Sequence, residues 1–380
     1  MSDFASLGLA PSLMEALAKE NYATPTPIQT QAIPPVLAGH DVQGIAQTGT
    51  GKTAAFALPI LHRLLTNRRR AAPKTCRVLV LAPTRELAGQ IADSFRAYGR
   101  FTPLRVAIMY GGVGKYPQAR AVAQGVDVLV ATPGRLLDHI GDHALRLDAT
   151  EVLVLDEADH MLDLGFIIPI RRIAAMLPAE RQTLFFSATM PKEIATLARQ
   201  LLRDPIQVAV TPAATTVERI AQQVIFVEAA AKRSLLATML AAPEARGGRS
   251  LVFTRTKHGA DKVVKQLELA GIESAAIHGN KSQGQRERAL QSFRNGEIRV
   301  LIATDIAARG IDVDGVTHVI NFDLPNVPET YVHRIGRTAR AGAEGLAISF
   351  CDGSERSFLR DIEKLIGKRI PAGQPMSRAA

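Results

Sequence analysis

The sequence predicts an α/β protein of two domains, each a mostly parallel sheet flanked by helices. Short apolar runs alternate with helix-length segments along the chain, as in parallel sheets covered on both faces. The chain has 380 residues, which is long for one hydrophobic core. A stretch with two prolines and small polar residues, DPIQVAVTPAATTVERIAQQ from Asp204, separates two such series and is the predicted linker.

The apolar runs are the predicted strands. Those of the first half are RVLVLA from Arg77, VDVLVA from Val126, EVLVLD from Glu151 and TLFFSA from Thr183. Those of the second half are SLVFT from Ser250, SAAIH from Ser274, RVLIAT from Arg299, THVINF from Thr317 and GLAISF from Gly345. We therefore expect a first domain over 1–207, a linker over 208–218, a second domain over 219–368 and a disordered tail over 369–380.

Composition argues against several classes of protein. With 47% hydrophobic and 22% charged residues, the chain is globular rather than disordered. Its two cysteines, Cys76 and Cys351, have no paired spacing, which argues against a disulfide framework or a zinc site and favours a reducing compartment. The chain shows neither a membrane-length apolar run nor a signal-peptide pattern, so we expect a cytoplasmic protein with no membrane contact.

The net charge of +10 suggests a polyanionic partner, because a basic surface attracts phosphate chains and releases their counterions. Solubility alone is the alternative, and composition does not separate the two. The placement of the charges is informative, since no acidic residue occurs between Val42 and Arg85. The basic residues of that stretch are Lys52, Arg63, Arg68, Arg69, Arg70, Lys74 and Arg77.

The segment AQTGTGKT, from Ala46 to Thr53, resembles a P-loop. Its glycines let backbone N–H groups face a phosphate, Lys52 reaches the β- and γ-phosphates, and Thr53 can hold Mg²⁺. Ala46 departs from the strict pattern, which has glycine there. The same letters spell a dinucleotide fingerprint from Gly49 to Ala54, but that site needs an acid about 20 residues on, where this chain has arginines. The P-loop is therefore favoured.

Three carboxylates end the segment EVLVLDEAD, at Asp156, Glu157 and Asp159. Buried acids need a cation or a strong donor nearby. At the end of a buried strand, in a chain with a P-loop, Asp156 is placed as a Walker-B acid for Mg²⁺, and Glu157 is placed to orient or deprotonate the attacking water. An acid cluster that caps a helix is the alternative, and the upstream P-loop makes it the poorer one.

The motifs, taken in chain order, resemble the DEAD-box RNA helicases from Phe4 to about residue 365. They are TGTGKT from Thr48, PTREL from Pro83, TPGR from Thr132, DEAD from Asp156, SAT from Ser187, ATDIAARGID from Ala303 and HRIGRTAR from His333. HGNKSQGQRERAL, from His278, is similar to the bacterial RhlE-type branch. The resemblance implies two RecA-like domains that close on ATP and RNA, and an RNA-dependent ATPase that unwinds short RNA duplexes locally or remodels RNA–protein complexes without sequence specificity.

The resemblance also implies the nucleotide site. YATPTPIQ, ending at Gln29, matches the family's Q motif, in which this glutamine reads adenine, and an amide can pair bidentately with the adenine edge. Phe4 stands where an upstream aromatic stacks, and Asn21 stands where glycine is usual. The implied ATP-binding residues are Phe4, Gln29, Thr48, Gly49, Thr50, Gly51, Lys52, Thr53 and Asp312, with Mg²⁺ on Thr53 and Asp156. The implied catalytic residues are Lys52, Asp156, Glu157 and two arginine fingers, Arg337 and Arg340, whose spacing of three puts them on one side of a helical turn.

Base stacking is not the expected way of holding RNA, because aromatic residues make up only 5% of the chain and tryptophan is absent. The resemblance implies loop contacts to the phosphates and riboses of single-stranded and short duplex RNA. They are Pro83, Thr84, Arg85, Gly111, Gly112, Thr132, Pro133, Gly134, Arg135, Arg255 and Thr304. It also implies a network that couples hydrolysis to unwinding, made of Asp159, Ser187, Thr189 and His333. Ribosomal and RNA-decay complexes are the partners that it suggests.

Three alternatives stay open. A DNA helicase or translocase of the same superfamily would be stimulated by DNA, although Gln29 and the DEAD spelling argue against it. An RNA-binding clamp or annealing chaperone with a vestigial ATPase is the second. A P-loop kinase or transporter ATPase is the third, and HRIGRTAR would have no role there.

Overall fold

The structure is a computed structural model, and it describes residues 3–46, 49–210, 220–242, 247–308, 313, 315–339 and 345–373. They belong to two compact units, residues 1–212 and 213–380, which we call lobe 1 and lobe 2. Within the described ranges each lobe has a parallel sheet flanked by helices, which confirms the predicted fold class. In these same ranges, no helix has both the length and the apolar composition needed to cross a bilayer.

Lobe 1 is built on a seven-stranded parallel sheet. Its strands are β1 Val42–Ile45, β2 Cys76–Leu81, β3 Val106–Met109, β4 Val126–Ala131, β5 Val152–Leu155, β6 Gln182–Ser187 and β7 Ile206–Ala209. Their order is β3-β4-β2-β5-β6-β1-β7, so β3 and β7 are the edges. Every residue of β2, β4 and β5 is buried, because helices cover both faces of the sheet.

The helices of lobe 1 enclose two hydrophobic cores, one on each face of the sheet. They are α1 Pro11–Lys19, α2 Pro27–Leu37, α3 Lys52–Thr66, α4 Arg85–Tyr98, α5 Lys115–Val122, α6 Pro133–Gly141, α7 Ala158–Asp163, α8 Ile167–Ala175 and α9 Lys192–Leu201. Side chains alternate along a strand, so Val78 and Val80 of β2 pack into the core under α1–α4, while Leu79 and Leu81 pack into the core under α5–α9.

Lobe 2 has a six-stranded parallel sheet. Its strands are β8 Ile220–Phe226, β9 Arg249–Phe253, β10 Ser274–Ile277, β11 Val300–Ala303, β12 Val316–Asn321 and β13 Gly345–Cys351, in the order β10-β11-β9-β12-β13-β8. Its helices are α10 Lys232–Ala241, α11 Lys257–Leu269, α12 Gln283–Asn295, α13 Asp305–Ala308, α14 Pro328–Ile335 and α15 Arg356–Ile366.

The sequence prediction misses β1, β3, β7 and β8. β1 and β3 have only four residues each, too few for a clear apolar pattern. β7 crosses the predicted domain limit at residue 207 and reaches into the linker predicted over 208–218, and β8 begins just after that linker. Three of the four residues of β7 are exposed, so backbone pairing with β1, and not burial of side chains, makes it a strand.

The expected disordered tail differs from the structure at residues 369–373. Ile370 is buried, the Val224 amide donates to the Pro371 carbonyl at 2.9 Å, and the Gly373 amide donates to the Val224 carbonyl at 2.8 Å. β8 is an edge of the lobe 2 sheet, so its free backbone groups are available to this segment. The sequence PAG shows no strand pattern, and only the tertiary structure reveals the contact.

Candidate nucleotide site and RNA interface

The motifs of the predicted nucleotide site meet at the carboxyl edge of the lobe 1 sheet. β1 leads into the P-loop, β5 into DEAD and β6 into SAT, and these strands are consecutive in the order β5-β6-β1. Ligands of open parallel sheets bind at this edge. Segments that are more than 100 residues apart in sequence thus form one site.

The P-loop turns directly into α3, which begins at Lys52. Gly49 and Gly51 have φ values of 83° and 91°, a left-handed conformation that side chains disfavour. A Cβ atom at Gly51 would also collide with the side-chain amide of Gln29. The first amides of a helix have no intrahelical partner, so the loop presents N–H groups to an anion. Thr48 lies outside the described residues.

Lys52 places a buried positive charge in this loop. Lys52 is 5% exposed, and its Nζ makes no hydrogen bond within the part of the chain that the structure describes. A carboxylate oxygen of Asp156 lies 4.0 Å away, beyond the usual length of a hydrogen-bonded ion pair. A buried ammonium without hydrogen bonds is costly, so the geometry indicates that an anion completes the site.

Asp156 is buried at the end of β5. Burial raises its pKa to about 6, the Lys52 ammonium opposes that rise, and the neighbouring Glu157 adds to it. A cation would favour the charged carboxylate, and Thr53, in the first turn of α3, adds a hydroxyl. Mg²⁺ prefers such oxygen ligands and is commonly held by one or two protein groups plus substrate phosphates. The residues present therefore fit Mg²⁺ bound together with a nucleotide.

Glu157 has an unusual backbone conformation, with φ of 51° at the N-cap of α7. A non-glycine residue in this region costs roughly 1–3 kcal/mol and persists only where its surroundings hold it. The backbone amide of Glu157 donates to Asp156 Oδ1 at 2.9 Å, and its Oε2 lies 3.4 Å from His160 Nδ1. The strained turn thus holds a carboxylate beside the Lys52 and Asp156 pair. His160 was not predicted from the sequence.

Asp159, Ser187 and Thr189 form one hydrogen-bond network. The Thr189 amide and hydroxyl both donate to Asp159 Oδ2 at 2.9 Å. The Asp159 amide donates to Ser187 Oγ at 3.1 Å, and that hydroxyl donates to the Thr189 carbonyl at 2.8 Å. The network joins the beginning of α7 to the end of β6, so hydrogen bonds link the DEAD turn directly to the SAT turn. The structure brings these three predicted coupling residues together.

Gln29 lies in the first turn of α2 and is buried. Its Oε1 accepts from the Thr26 amide at 2.9 Å, and its Nε2 donates to the Gly51 carbonyl at 3.2 Å. These two partners orient the amide, which still has one acceptor position and one N–H for a ligand. Gln29 therefore connects the Q motif to the P-loop and keeps the pair of groups that reading adenine requires.

Phe4 is placed differently from the expectation. It is 2% exposed, and its ring stacks on Tyr22 at a centroid distance of 6.5 Å, so it has no free face for a base. Tyr22, which the sequence analysis missed, is 42% exposed. Its position in the Q motif, seven residues before Gln29, is the sequence feature that could have identified it. Asn21, in place of the usual glycine, adopts φ of 59°, which asparagine tolerates better than most residues.

The predicted RNA contacts of lobe 1 follow the carboxyl ends of β2, β3 and β4. The guanidinium of Arg85 packs against Gly111 and Gly112, where a Cβ atom at Gly112 would collide with it. Arg135 Nη1 donates to the Val113 carbonyl at 2.9 Å, which ties TPGR to the same loop. Thr84 caps α4 by accepting from the Leu87 amide at 3.2 Å. In this group Thr132 and Pro133 are buried, Gly134 is exposed, and Pro83 is buried.

The predicted residues of lobe 2 have several structural partners. Arg255 Nη2 donates to Glu355 at 2.6 Å and to the Leu324 carbonyl at 3.0 Å, and Thr304 begins α13 through its carbonyl. Arg337 is buried, and His333 on α14 is half-buried. Arg340 and Asp312 lie outside the described residues.

Arg334, in HRIGRTAR, was missed by the sequence analysis. Its guanidinium is 1% exposed and binds both carboxylate oxygens of Asp305, at 2.5 and 2.8 Å. It also donates to Asn321 Oδ1 at 3.0 Å and to the Asp323 carbonyl at 2.7 Å. This arginine fastens α14 to α13 and β12. No sequence signal separates it from the arginines that follow it.

Two family models match the chain, one in each lobe. DEAD/DEAH box helicase matches residues 26–197, and Helicase conserved C-terminal domain matches residues 231–342.

Similar proteins are known along nearly the whole chain. It is 41% identical over 378 residues to an ATP-dependent RNA helicase CshA of Limosilactobacillus reuteri, covering 99% of this chain and 75% of that protein. It is 43% identical over 377 residues to a DEAD-box ATP-dependent RNA helicase CshA of Geobacillus kaustophilus, covering 99% and 79%. Among solved structures, S. cerevisiae Dbp5 bound to RNA and ADP BeF3 is similar at a TM-score of 0.86 and 32% identity, covering 98% and 96%. With these matches, and with two RecA-like domains, the chain belongs to the family of DEAD-box ATP-dependent RNA helicases.

Proposed function

We propose that this chain hydrolyses ATP at the carboxyl edge of lobe 1 and uses the cycle to open short RNA duplexes, or to remodel RNA–protein complexes, without reading sequence. One observation carries the proposal. Lys52 Nζ is buried without a hydrogen bond within the described residues, 4.0 Å from a buried Asp156 whose pKa burial raises to about 6. Such a site is incomplete without a phosphate and a cation.

The P-loop residues Gly49, Thr50 and Gly51 hold the phosphates through their amides, and Lys52 neutralises the β- and γ-oxygens. Thr53 and Asp156 would hold Mg²⁺, which would supply further positive charge for the phosphates. Glu157 orients the attacking water and accepts its proton, with its carboxylate positioned by the strained turn and by His160.

Gln29 reads the adenine edge with the acceptor position and the N–H that its two internal hydrogen bonds leave over. We propose Tyr22, and not Phe4, as the aromatic that contacts the base, because only Tyr22 of the stacked pair has exposed surface. Asp312, outside the described residues, remains the proposed ribose contact.

RNA is held through its backbone. The half-buried guanidinium of Arg85 packs against Gly111 and the exposed Gly112, and Arg135 positions the same loop through the Val113 carbonyl. The other proposed contacts are Pro83, Thr84, Thr132, Pro133, Gly134, Arg255 and Thr304.

Lobe 2 supplies the arginine fingers Arg337 and Arg340, with His333 beside them. Closure of the two lobes on ATP and RNA bends one RNA strand, so that its partner strand cannot stay paired. Hydrolysis and phosphate release reopen the protein, and the Asp159, Ser187 and Thr189 network transmits the change.

The cellular setting is also a proposal. Both cysteines are free and buried, which fits a reducing cytoplasm. Ribosomal or RNA-decay complexes remain proposed partners. The two curated relatives described above carry the name CshA, so they give no support to the RhlE-type branch that HGNKSQGQRERAL suggested.

Steady-state ATP hydrolysis tests the function directly. It is measured without nucleic acid, with single-stranded RNA and with DNA of the same sequence, and GTP serves as the nucleotide control. We expect stimulation by RNA only, and hydrolysis of ATP only. Equal stimulation by DNA would favour the DNA helicase, and RNA binding without any turnover would favour the clamp.

A further inference from the structure

Lobe 1 contains a basic cavity of about 850 Å³ far from the P-loop. Arginines from the segment after α3, from β2 and from the loop before β3 line it. Its charged lining residues are Arg68, Arg69, Arg70, Arg77, Arg105 and Asp127. We call this feature the arginine cavity. None of its arginines has a role in the proposed ATPase cycle.

Much of this positive charge is not neutralised. Asp127 is the only carboxylate of the lining, and its Oδ2 already accepts from the Arg105 amide at 2.8 Å. Arg69 and Arg77 share Glu151, at 3.0 and 2.8 Å. Within the described residues, Arg68, Arg70 and Arg105 form no ion pair. Arg68 donates to the Leu65 carbonyl at 3.3 Å, and Arg105 donates to the Gln124 carbonyl at 3.3 Å.

The backbone that carries the arginines is held in place. Arg77 is buried and donates to the carbonyls of Asn67, at 2.8 Å, and Arg69, at 3.2 Å. These bonds fix the segment after α3 against the beginning of β2. The side chains of Arg68, Arg69 and Arg70 are exposed on this fixed segment. A ligand that binds them therefore does not have to order the backbone first.

The arginine cavity lies at the opposite end of the strands that carry the proposed RNA loops. Arg77 belongs to the beginning of β2, Arg105 directly precedes β3, and Asp127 is at the beginning of β4. The RNA loops follow the carboxyl ends of these same strands. β2 has six residues and spans about 20 Å at roughly 3.3 Å per residue. β3 is an edge strand of this sheet, so no further strand flanks it on its outer side in the described part of lobe 1.

The chemistry of the cavity favours phosphates. Guanidinium groups bind phosphate oxygens in pairs, and no aromatic residue lines the cavity to stack on a base. We propose that the arginine cavity is a second RNA-backbone contact, which binds the phosphates of a segment flanking the RNA held at the carboxyl edge. It lengthens the RNA footprint of lobe 1 and adds affinity without sequence preference.

A length series of RNA tests this contact. The variant is the triple substitution Arg68→Ala, Arg70→Ala and Arg105→Ala, and the probes are labelled oligouridylates of about 10 and about 30 nucleotides, whose binding is followed by fluorescence anisotropy. For the long probe, we expect the affinity to fall about 100-fold at about 0.1 M salt, and the slope of log K against log salt to become less negative by about 2, from three lost contacts at about 0.7 each. The short probe fits on the carboxyl edge alone. We expect its affinity, and the ATP hydrolysis that it stimulates, to be unchanged in the variant.

The matched control removes the same charge elsewhere on lobe 1, with Arg171→Ala, Arg172→Ala and Arg199→Ala. These arginines are exposed, and Arg171 and Arg199 bond only the neutral Gln200 and Thr196. The control should bind both probes like the wild type. Unchanged binding of the long probe by the cavity variant, equal losses for both probes, or an equal loss in the control would each overturn the proposal. If the wild type binds polyglutamate, and the cavity variant loses that binding but keeps its RNA binding, the proposal would be overturned in favour of an acidic protein partner.

Discussion

Two buried charges of the nucleotide site, on Lys52 and Asp156, are arranged for a ligand and not for each other. At 4.0 Å they are too far apart to share a hydrogen bond, and burial removes the water that would solvate them. Stability is lost here in the free protein, and an anion and a cation can restore it on binding. This is the usual relation between an active site and the stability of its fold.

Glu157→Gln tests the proposed base. Glutamine keeps the size and most of the hydrogen bonding of the side chain but cannot take a proton. We expect binding of ATP and RNA to be retained and RNA-stimulated hydrolysis to fall by roughly 10²- to 10⁴-fold. Glu180→Gln, at a side chain that is 95% exposed, is the control and should turn over normally. Wild-type turnover by Glu157→Gln would remove this residue from the mechanism.

The raised pKa of Asp156 predicts a pH dependence of stability. Its folded pKa of about 6 lies above the reference value of 3.8, so the folded state binds this proton more tightly. The free energy of unfolding therefore falls as the pH rises from about 4 to about 6, and it stays low above that. A shift of about two units corresponds to about 3 kcal/mol.

Asp156→Asn is the variant that isolates this effect. Without nucleotide, it should match the wild type near pH 4 and be more stable by about 3 kcal/mol above pH 7. Urea denaturation of the two proteins across this range measures the difference. A gap that does not change with pH would contradict the assignment.

At the scale of elements, short turns at strand ends determine where the loops can lie. The turn after β3 has Gly112 at φ of 79°, with the Arg85 guanidinium packed against it. Glycine is needed here both for the left-handed backbone and for the close approach of the side chain. For comparison, Gly89 lies within α4, the helix that begins with Arg85. A Cβ atom at Gly89 would meet no other atom within 4 Å.

Gly112→Ala and Gly89→Ala form a matched pair. Alanine at Gly112 should lower stability by about 1–2 kcal/mol, because of the left-handed backbone, and should weaken RNA binding by displacing Arg85. Alanine at Gly89 should raise stability by roughly 0.5–1 kcal/mol, because it favours the helix, and should leave RNA binding unchanged. Thermal unfolding and RNA titration measure both effects. Equal RNA affinities in the two variants would contradict the role of the Gly112 turn.

At the scale of the whole molecule, each lobe has its own sheet and its own cores. Lobe 2 also contains a buried ionic network around Glu355. One of its carboxylate oxygens accepts from Arg255 at 2.6 Å and from the Leu324 amide at 3.0 Å, and the other accepts from Lys232 at 2.5 Å. The network joins the ends of strands to the beginning of α10.

Glu355→Gln should destabilise lobe 2 selectively. The amide cannot satisfy both Lys232 and Arg255, and breaking a buried pair from one side costs about 3–5 kcal/mol. We expect urea unfolding to show one transition moved to lower urea, while the transition that MgATP shifts to higher urea stays in place. The exposed Glu268→Gln is the control. A uniform shift of both transitions would show that the lobes do not unfold separately.

Closure on two ligands makes their binding energies interdependent. If ATP and RNA both stabilise one closed state, a non-hydrolysable ATP analogue should tighten RNA binding, and RNA should tighten binding of the analogue by the same factor. Couplings of this kind are typically about 5- to 150-fold. Titrations in both orders measure the factor. Independent dissociation constants would contradict the closed-state mechanism.

Much of this protein is determined by local sequence. Strands buried on both faces are apolar along most of their length, so VDVLVA and RVLVLA could be recognised as strands. The loops that follow them, PTREL and TPGR, could therefore be placed at strand ends. The left-handed glycines of TGTGKT and the acids of DEAD occupy positions where few other residue types would serve. The roles of Lys52 and Asp156 can therefore be predicted from the sequence. The Asp159, Ser187 and Thr189 network was expected from the family resemblance of the same motifs.

The tertiary structure decided the features that depend on neighbours distant in sequence. Phe4 and Tyr22 are both aromatic, and only packing shows that the first is buried. Arg334 and Arg337 share one motif, and only the contact with Asp305 makes the first a structural residue. β7 is ordered by pairing with β1, and the segment at residues 369–373 is ordered by pairing with the edge strand β8; such backbone hydrogen bonds do not depend on side-chain pattern. The arginine run at residues 68–70 was visible as charge, but the cavity needed Arg77 and Arg105 from two other elements, because burial and charge balance are properties of the folded chain.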